Sequence, residues 1–227
     1  METHVQKIYH NKQMSRLFHT SIYCLKKELQ NCNSVLDLGC GSGSPLQYCN
    51  IRKSIGIDAF EPSIKASKEK GIHNEYIHSD IRKMDFQPSS FDAVIMIEVL
   101  EHLHKKEGEI MLKKAENWAR KKVIVTSPNG YFPQTDVNGN LYFKHLSGWE
   151  VKKMKQLGYK AYGMAGLKYL RKENTSSNED DHTIFSTMKF RPKSFWLIIS
   201  ELTQIFTYLF PELAFEVFYV KQLEGSI

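Results

Sequence analysis

The sequence predicts an α/β fold, a doubly wound and mostly parallel sheet, and three observations predict it. Short apolar runs alternate with amphipathic segments over the first 126 residues, which is the pattern of strands joined by crossover helices. The first run, Val35-Leu36-Asp37-Leu38, breaks into Gly39, Gly41 and Gly43, as a buried strand does when it turns sharply at its carboxyl end. Successive runs then end at or next to an acid: Asp37, Asp58, Asp80 and Glu98. Right-handed crossovers would bring all four to one edge of the sheet, where open α/β sheets bind ligands.

Taken in order, residues 5–30 place Ile8, Leu17, Phe18, Ile22, Leu25 and Leu29 at roughly helical spacing. They predict one or two helices forming a cover over residues 1–32, which either lies over the site or ties down the terminus. After the glycine turn, Pro45 suits the first turn of a short helix. Residues 54–58 form a second strand, and residues 61–70 a helix that Gly71 caps. Residues 76–80 and 91–97 are the third and fourth strands, a charged amphipathic helix runs from about 100 to 120, and residues 123–126 are the fifth strand.

The pattern then changes. Residues 127–148 form a long loop rich in Pro, Gly and Asn, with a hairpin-type turn at 137–140. A helix over 149–157 leads to a sixth strand at 159–164, and residues 171–182 are polar enough to form a solvated insertion. Phe195, Ile198, Ile199, Leu202, Ile205, Phe206 and Leu209 follow an amphipathic stripe. That stripe either caps a lipid-like substrate, docks on a membrane surface, or packs on the sheet, and packing is the expectation. Pro211 ends the helix, and residues 214–220 are the last strand. The expected organisation is one domain over 33–227, a seven-stranded sheet with helical covers at both ends. Loop 127–148 and segment 168–212 are then substrate-side insertions.

The chain has 227 residues, 41% of them hydrophobic, and a net charge of +6. Its basic pairs are dispersed over predicted helices, so solvated helix faces explain them better than a nucleic-acid footprint does. Four cysteines without C-x-x-C spacing suggest neither a zinc site nor a disulfide framework. The polar first 13 residues lack a signal-peptide core, and the expectation is a reducing, cytoplasmic setting. Residues 195–220 are interrupted by Glu201, Gln204, Pro211, Glu212 and Glu216, so no transmembrane span is expected, whereas peripheral contact stays open.

Together the glycine turn and its acids resemble the class I S-adenosylmethionine-dependent methyltransferases, over about residues 30 to 165. Gly39-x-Gly41-x-Gly43 lacks the further spaced glycine or alanine of a pyrophosphate-binding turn. Asp37 within the strand would repel a pyrophosphate and attract a cofactor with ammonium and sulfonium centres. The resemblance implies a Rossmann-like methyltransferase fold and S-adenosylmethionine as cofactor. It implies that Asp37 and the Gly39–Gly43 backbone hold the methionine end, that Asp58 meets both ribose hydroxyls, and that Asp80 and Ile81 meet the adenine, with Glu98 shaping the pocket.

The segment Glu98-Val99-Leu100-Glu101-His102 is similar both to O-methyltransferases of quinone biosynthesis and to small-RNA terminal 2′-O-methyltransferases. In the latter, two glutamates and two histidines hold a divalent ion. Glu98, Glu101 and His102 are expected on one face of a helix start, with His145 as a fourth ligand. Without a metal, His102 or His145 would serve as general base. The function expected is in-line methyl transfer to a small-molecule or glycan/lipid-type acceptor at oxygen. The alternative is metal-assisted RNA 2′-O-methylation. A different class would be an NAD(P)-dependent oxidoreductase or a non-catalytic nucleotide-binding protein.

Overall fold

The computed structural model describes residues 12–134, 141–172 and 187–223. The turn expected at 137–140, most of the polar stretch at 171–182 and the first eleven residues lie outside them. Seven strands form one sheet in the order β3-β2-β1-β4-β5-β7-β6. They are β1 (Ser34–Leu38), β2 (Lys53–Asp58), β3 (Glu75–His78), β4 (Phe91–Ile97), β5 (Ala119–Pro128), β6 (Lys160–Leu167) and β7 (Ala214–Gln222). β1 to β5 run parallel, and β7 inserts antiparallel between β5 and β6. The strand order reverses at β1 and β4, and the crevice above that point is where such sheets take ligands.

Alternation along the central strands divides the core into two layers. Leu36, Leu38, Val94, Met96, Val123 and Val125 face one side, where α4 (Lys105–Trp118) and α5 (Val151–Gln156) cover them. Val35, Ala93, Ile95 and Ile124 face the other, against Cys24, Leu25 and Leu29 of the amino-terminal segment. That segment comprises α1 (Lys12–Leu17) and α2 (Ser21–Glu28), the latter capped by Thr20 Oγ1 on the Tyr23 N–H, while α3 (Glu61–Glu69) joins β2 to β3. All four cysteines are free thiols.

Two local expectations are corrected. Glu98, Glu101 and His102 do not share the face of an α-helix: Glu98 has φ +55°, and Leu100–His102 is a single 3₁₀ turn before α4 begins at Lys105. More consequentially, the apolar stripe of α6 (Lys193–Leu209) does not pack on the sheet. The helix buries Leu197, Ser200, Glu201, Gln204 and Thr207, and turns Phe195, Ile198, Leu202, Ile205, Phe206 and Leu209 outward. Glycines in β6 explain why the polar side fits. A Cβ at Gly163 would strike the Thr207 carbonyl of α6, and one at Gly166 would strike that of Ser200. The backbones therefore approach too closely for large side chains. Gln204 secures the contact, accepting from Gly166 N at 2.9 Å and donating to Gly163 O at 2.9 Å.

Candidate active site

The turn after β1 is forced by its surroundings. Gly39 has φ +70°, and a Cβ there would lie 2.6 Å from Val99 Cγ2. The chain continues into a 3₁₀ turn over Pro45–Tyr48, whose cap Ser44 donates from Oγ to Asp37 Oδ2 at 2.5 Å. The same carboxylate oxygen meets His73 Nε2 at 2.9 Å, and both side chains are buried. Asp37 thus braces the turn from beneath. Asp58 braces it from the side, with Oδ2 accepting from Gly41 N and Oδ1 from Phe60 N, both at 2.8 Å. Burial raises its carboxyl above the ordinary range, and these two amides act against that rise.

A cavity of about 920 Å³ opens over this turn. Every site residue expected from the sequence lines it: Asp37, Gly39, Gly41, Gly43, Asp58, Asp80, Ile81, Glu98, Glu101, His102 and His145. Their roles differ, however. Asp80 caps a short turn and is gripped by Arg82, whose Nη2 lies 2.6 Å from Oδ2, and these bonds hold the Asp80 carboxyl below its ordinary range. Buried Ile81 lies beside it as an apolar wall. Thr20 and Ser21, at the start of α2, also reach the cavity, so the amino-terminal cover does contribute to it.

A second wall of the cavity is built by docking the loop after β5 against the turn after β4. Leu146 and Ser147 both donate backbone N–H groups to the Glu101 carbonyl, at 2.7 and 3.1 Å. Fully buried Trp149 donates from Nε1 to Leu100 O at 3.1 Å, with the Lys105 ammonium 3.6 Å from its ring centre. These contacts bring His145 against His102, ring centres 4.9 Å apart.

His145 Nδ1 faces Phe132 O at 2.6 Å, and His102 Nδ1 faces Lys144 O at 3.3 Å. A carbonyl only accepts, so in each neutral ring Nδ1 carries the proton and Nε2 the lone pair. Burial, and then the neighbouring His145, lower the His102 pKa to about 4. Glu101 is buried, and burial and then the charge of Glu98 push its carboxyl well above the ordinary range. Glu98 accepts from Thr126 Oγ1 at 2.7 Å and is open to the cavity, so its enclosure is that of a walled pocket and not of a dry interior.

Ligating atoms of Glu101, His102 and His145 lie within 4.8 Å of one another, the one such group among the described residues. Glu98, expected as a fourth ligand, is not in that group. The donor set nonetheless fits a divalent ion: two imidazoles held by carbonyls at their other nitrogen, and a buried carboxyl beside them.

Sequence reasoning missed the cavity's third wall. Glu216 enters from β7, Glu201 and Gln204 from α6, and Arg171 from the segment after β6. Burial raises Glu201 and Glu216, the latter also under the charge of Glu98, and Arg171 opposes both shifts. The available signal was an acid inside an otherwise apolar run, at Glu201 and again at Glu216.

The sheet order, the turn and its acids define a protein of the class I methyltransferase fold. The comparisons agree. Residues 36–126 match the family described as Methyltransferase domain. Over 109 residues the chain is 28% identical to the (S)-coclaurine N-methyltransferase of Thalictrum flavum subsp. glaucum, covering 44% of this chain and 29% of that protein. Over 182 residues it is 26% identical to the sterol 24-C-methyltransferase of Saccharomyces cerevisiae, covering 72% and 46%. A SAM dependent methyltransferase from Archaeoglobus fulgidus superposes with a TM-score of 0.53 at 19% identity, over 93% of this chain and 98% of that one. Over residues 36–126 the chain carries a methyltransferase domain, set in a sheet of the class I S-adenosylmethionine-dependent methyltransferase fold. It spans less than half the length of these two curated relatives.

Proposed function

We propose that the protein transfers a methyl group from S-adenosylmethionine to a hydroxyl oxygen of a small-molecule or glycan/lipid-type acceptor. The observation that carries the reading is the pairing of His102 and His145, each with Nδ1 held by a carbonyl, across one cavity from the Gly39–Gly43 turn. S-adenosylmethionine bound at that turn supplies a methyl group already activated by its positive sulfur. Each oxygen of Asp58 already accepts one amide and keeps one lone pair for a ribose hydroxyl. Ile81 walls the adenine, while Asp37 holds the turn in shape through Ser44. At the other end, Nε2 of His145 takes the proton of the acceptor hydroxyl, and His102 keeps beside it a ring that stays neutral near pH 7. Phe132, Phe143 and Leu146 exclude water from that end.

A second reading has its own support in Glu101, whose buried carboxyl lies within 4.8 Å of ligating atoms of both His102 and His145. There Glu101, His102 and His145 hold a divalent ion that lowers the pKa of the acceptor hydroxyl. RNA is the less suitable acceptor in either case. The basic pairs of the chain are dispersed along the sequence, whereas a phosphate backbone is held by clustered Lys and Arg.

The test is transfer of labelled methyl from S-adenosylmethionine into hydroxyl-bearing small-molecule and glycolipid fractions. His145→Ala is expected to lower turnover by about 10²-fold or more while sparing cofactor affinity. Undiminished turnover would remove His145 from the site. Chelation followed by Mg, Mn or Zn separates the readings: only the metal reading predicts loss and recovery.

A further inference from the structure

The outer face of α6 has no role in the site just described, and its chemistry is unusual for a surface. Fifteen large hydrophobic side chains are exposed among the described residues, and eight of them lie between Phe195 and Leu213. A helix on a globular domain ordinarily turns its apolar stripe inward. Here Ser200, Glu201, Gln204 and Thr207 face the protein, while Phe195, Ile198, Leu202, Ile205, Phe206 and Leu209 face out. Ile198 and Leu209 are 60% and 71% exposed, and Phe210 and Leu213 continue the patch past the helix end. The inversion is built in, because the glycines of β6 admit only the small and polar side of the helix.

Charge indicates what covers this face. Between Thr187 and Ser200 the sequence contains Lys189, Arg191 and Lys193 and no acid, so the amino-terminal end of the patch is basic. Aromatic rings gather at that end: Trp196 lies 5.0 Å from Phe190, and the Lys189 ammonium lies 4.7 Å from the Tyr169 ring. A second copy pairing through its own α6 would bring no matching acids among the described residues of that face. On α6 and the turn that follows it, the one acid outside the buried face is Glu212, at the far end and paired with Lys155 at 2.7 Å. An apolar face ending in basic and aromatic residues matches the boundary between acyl chains and anionic headgroups. No helix among the described residues is long and apolar enough to cross a membrane, so α6 would lie in the plane of the interface.

We propose that α6 docks the protein on bilayers containing anionic lipids, with Phe195, Ile198, Leu202 and Phe206 in the acyl boundary and Lys189, Arg191 and Lys193 at the headgroups. Glu201 and Gln204, on the opposite side of the same helix, line the cavity. Docking therefore holds the cavity about one helix diameter, roughly 10 Å, from the membrane surface, which suits an acceptor carried on a lipid. The docking itself rests only on the face, and its test reads binding without methyl transfer.

The experiment is co-sedimentation of the full chain with vesicles of phosphatidylcholine alone and with about one third phosphatidylglycerol. Binding is expected to be about a hundredfold stronger to the anionic vesicles at low salt, and to fall steeply at about 0.5 M salt. Ile198→Glu with Leu202→Glu should abolish binding to both, with S-adenosylhomocysteine still raising the melting temperature as a check of the fold. Lys189→Glu with Arg191→Glu should remove the anionic preference alone, and it tests the proposal even if the first variant fails to fold. Vesicle binding that is absent, or indifferent to both variants, would overturn the proposal. So would sedimentation of the chain as a dimer that Leu202→Glu dissociates, since a second copy would then cover the face.

Discussion

Replacing Asp58 with asparagine tests how the cofactor end is held. A carboxylate has two lone pairs on each oxygen. Gly41 N uses one on Oδ2 and Phe60 N one on Oδ1, leaving one on each side for a ribose hydroxyl. Asparagine keeps a single acceptor oxygen, and its NH₂ must then oppose one of the two amides. The loss to the ligand is one charge-assisted hydrogen bond, about 1.5–3 kcal/mol, or roughly 10- to 150-fold in Kd. The opposed amide appears separately, as about 1–3 kcal/mol of stability and a melting temperature lower by several degrees. Isothermal titration with S-adenosylhomocysteine reads the first quantity and thermal melting the second. If the melting temperature fell with no change in Kd, Asp58 would be a brace for the turn and not a ribose ligand.

Other outcomes follow from the same contacts. Gly39→Ala combines a left-handed backbone with a Cβ 2.6 Å from Val99 and should cost about 2–5 kcal/mol in denaturant melts; adding Val99→Ala should recover the part due to the clash. Gly163→Ala drives a methyl into the Thr207 carbonyl and should cost at least about 1–3 kcal/mol, with proteolysis appearing first along α6. Glu201→Gln should raise stability at pH 8. The folded-state carboxyl is raised by burial beyond what Arg171 offsets, so wild-type stability falls as pH rises through that folded value. The advantage should vanish below about pH 4, where the unfolded carboxyl is protonated too; melts showing the gain at low pH instead would contradict the sign.

The parallel half of the fold was legible because its signals are local. Val35–Leu38 and the glycines after them specify a strand and its turn, and β4 shows its burial in the apolar run of residues 93–97. The acids at the sheet edge followed from handedness alone. Glu216 escaped because β7 is antiparallel: its amino-terminal end reaches the edge where the other strands have their carboxyl ends. Asp80 illustrates a different limit, since its partner Arg82 lies two residues on and claims the carboxylate locally. The orientation of α6 was inverted in the sequence reading because a hydrophobic stripe shows only which residues share a face. The side that meets the sheet was decided by Gly163 and Gly166, some forty residues earlier in the chain.

The most direct test of the account is calorimetric titration of the full chain with S-adenosylmethionine, S-adenosylhomocysteine and NAD. The account predicts saturable binding of the first two at one site, weakened by Asp58→Asn, and no heat of binding with NAD. Binding of NAD with indifference to both sulfur nucleotides would contradict it.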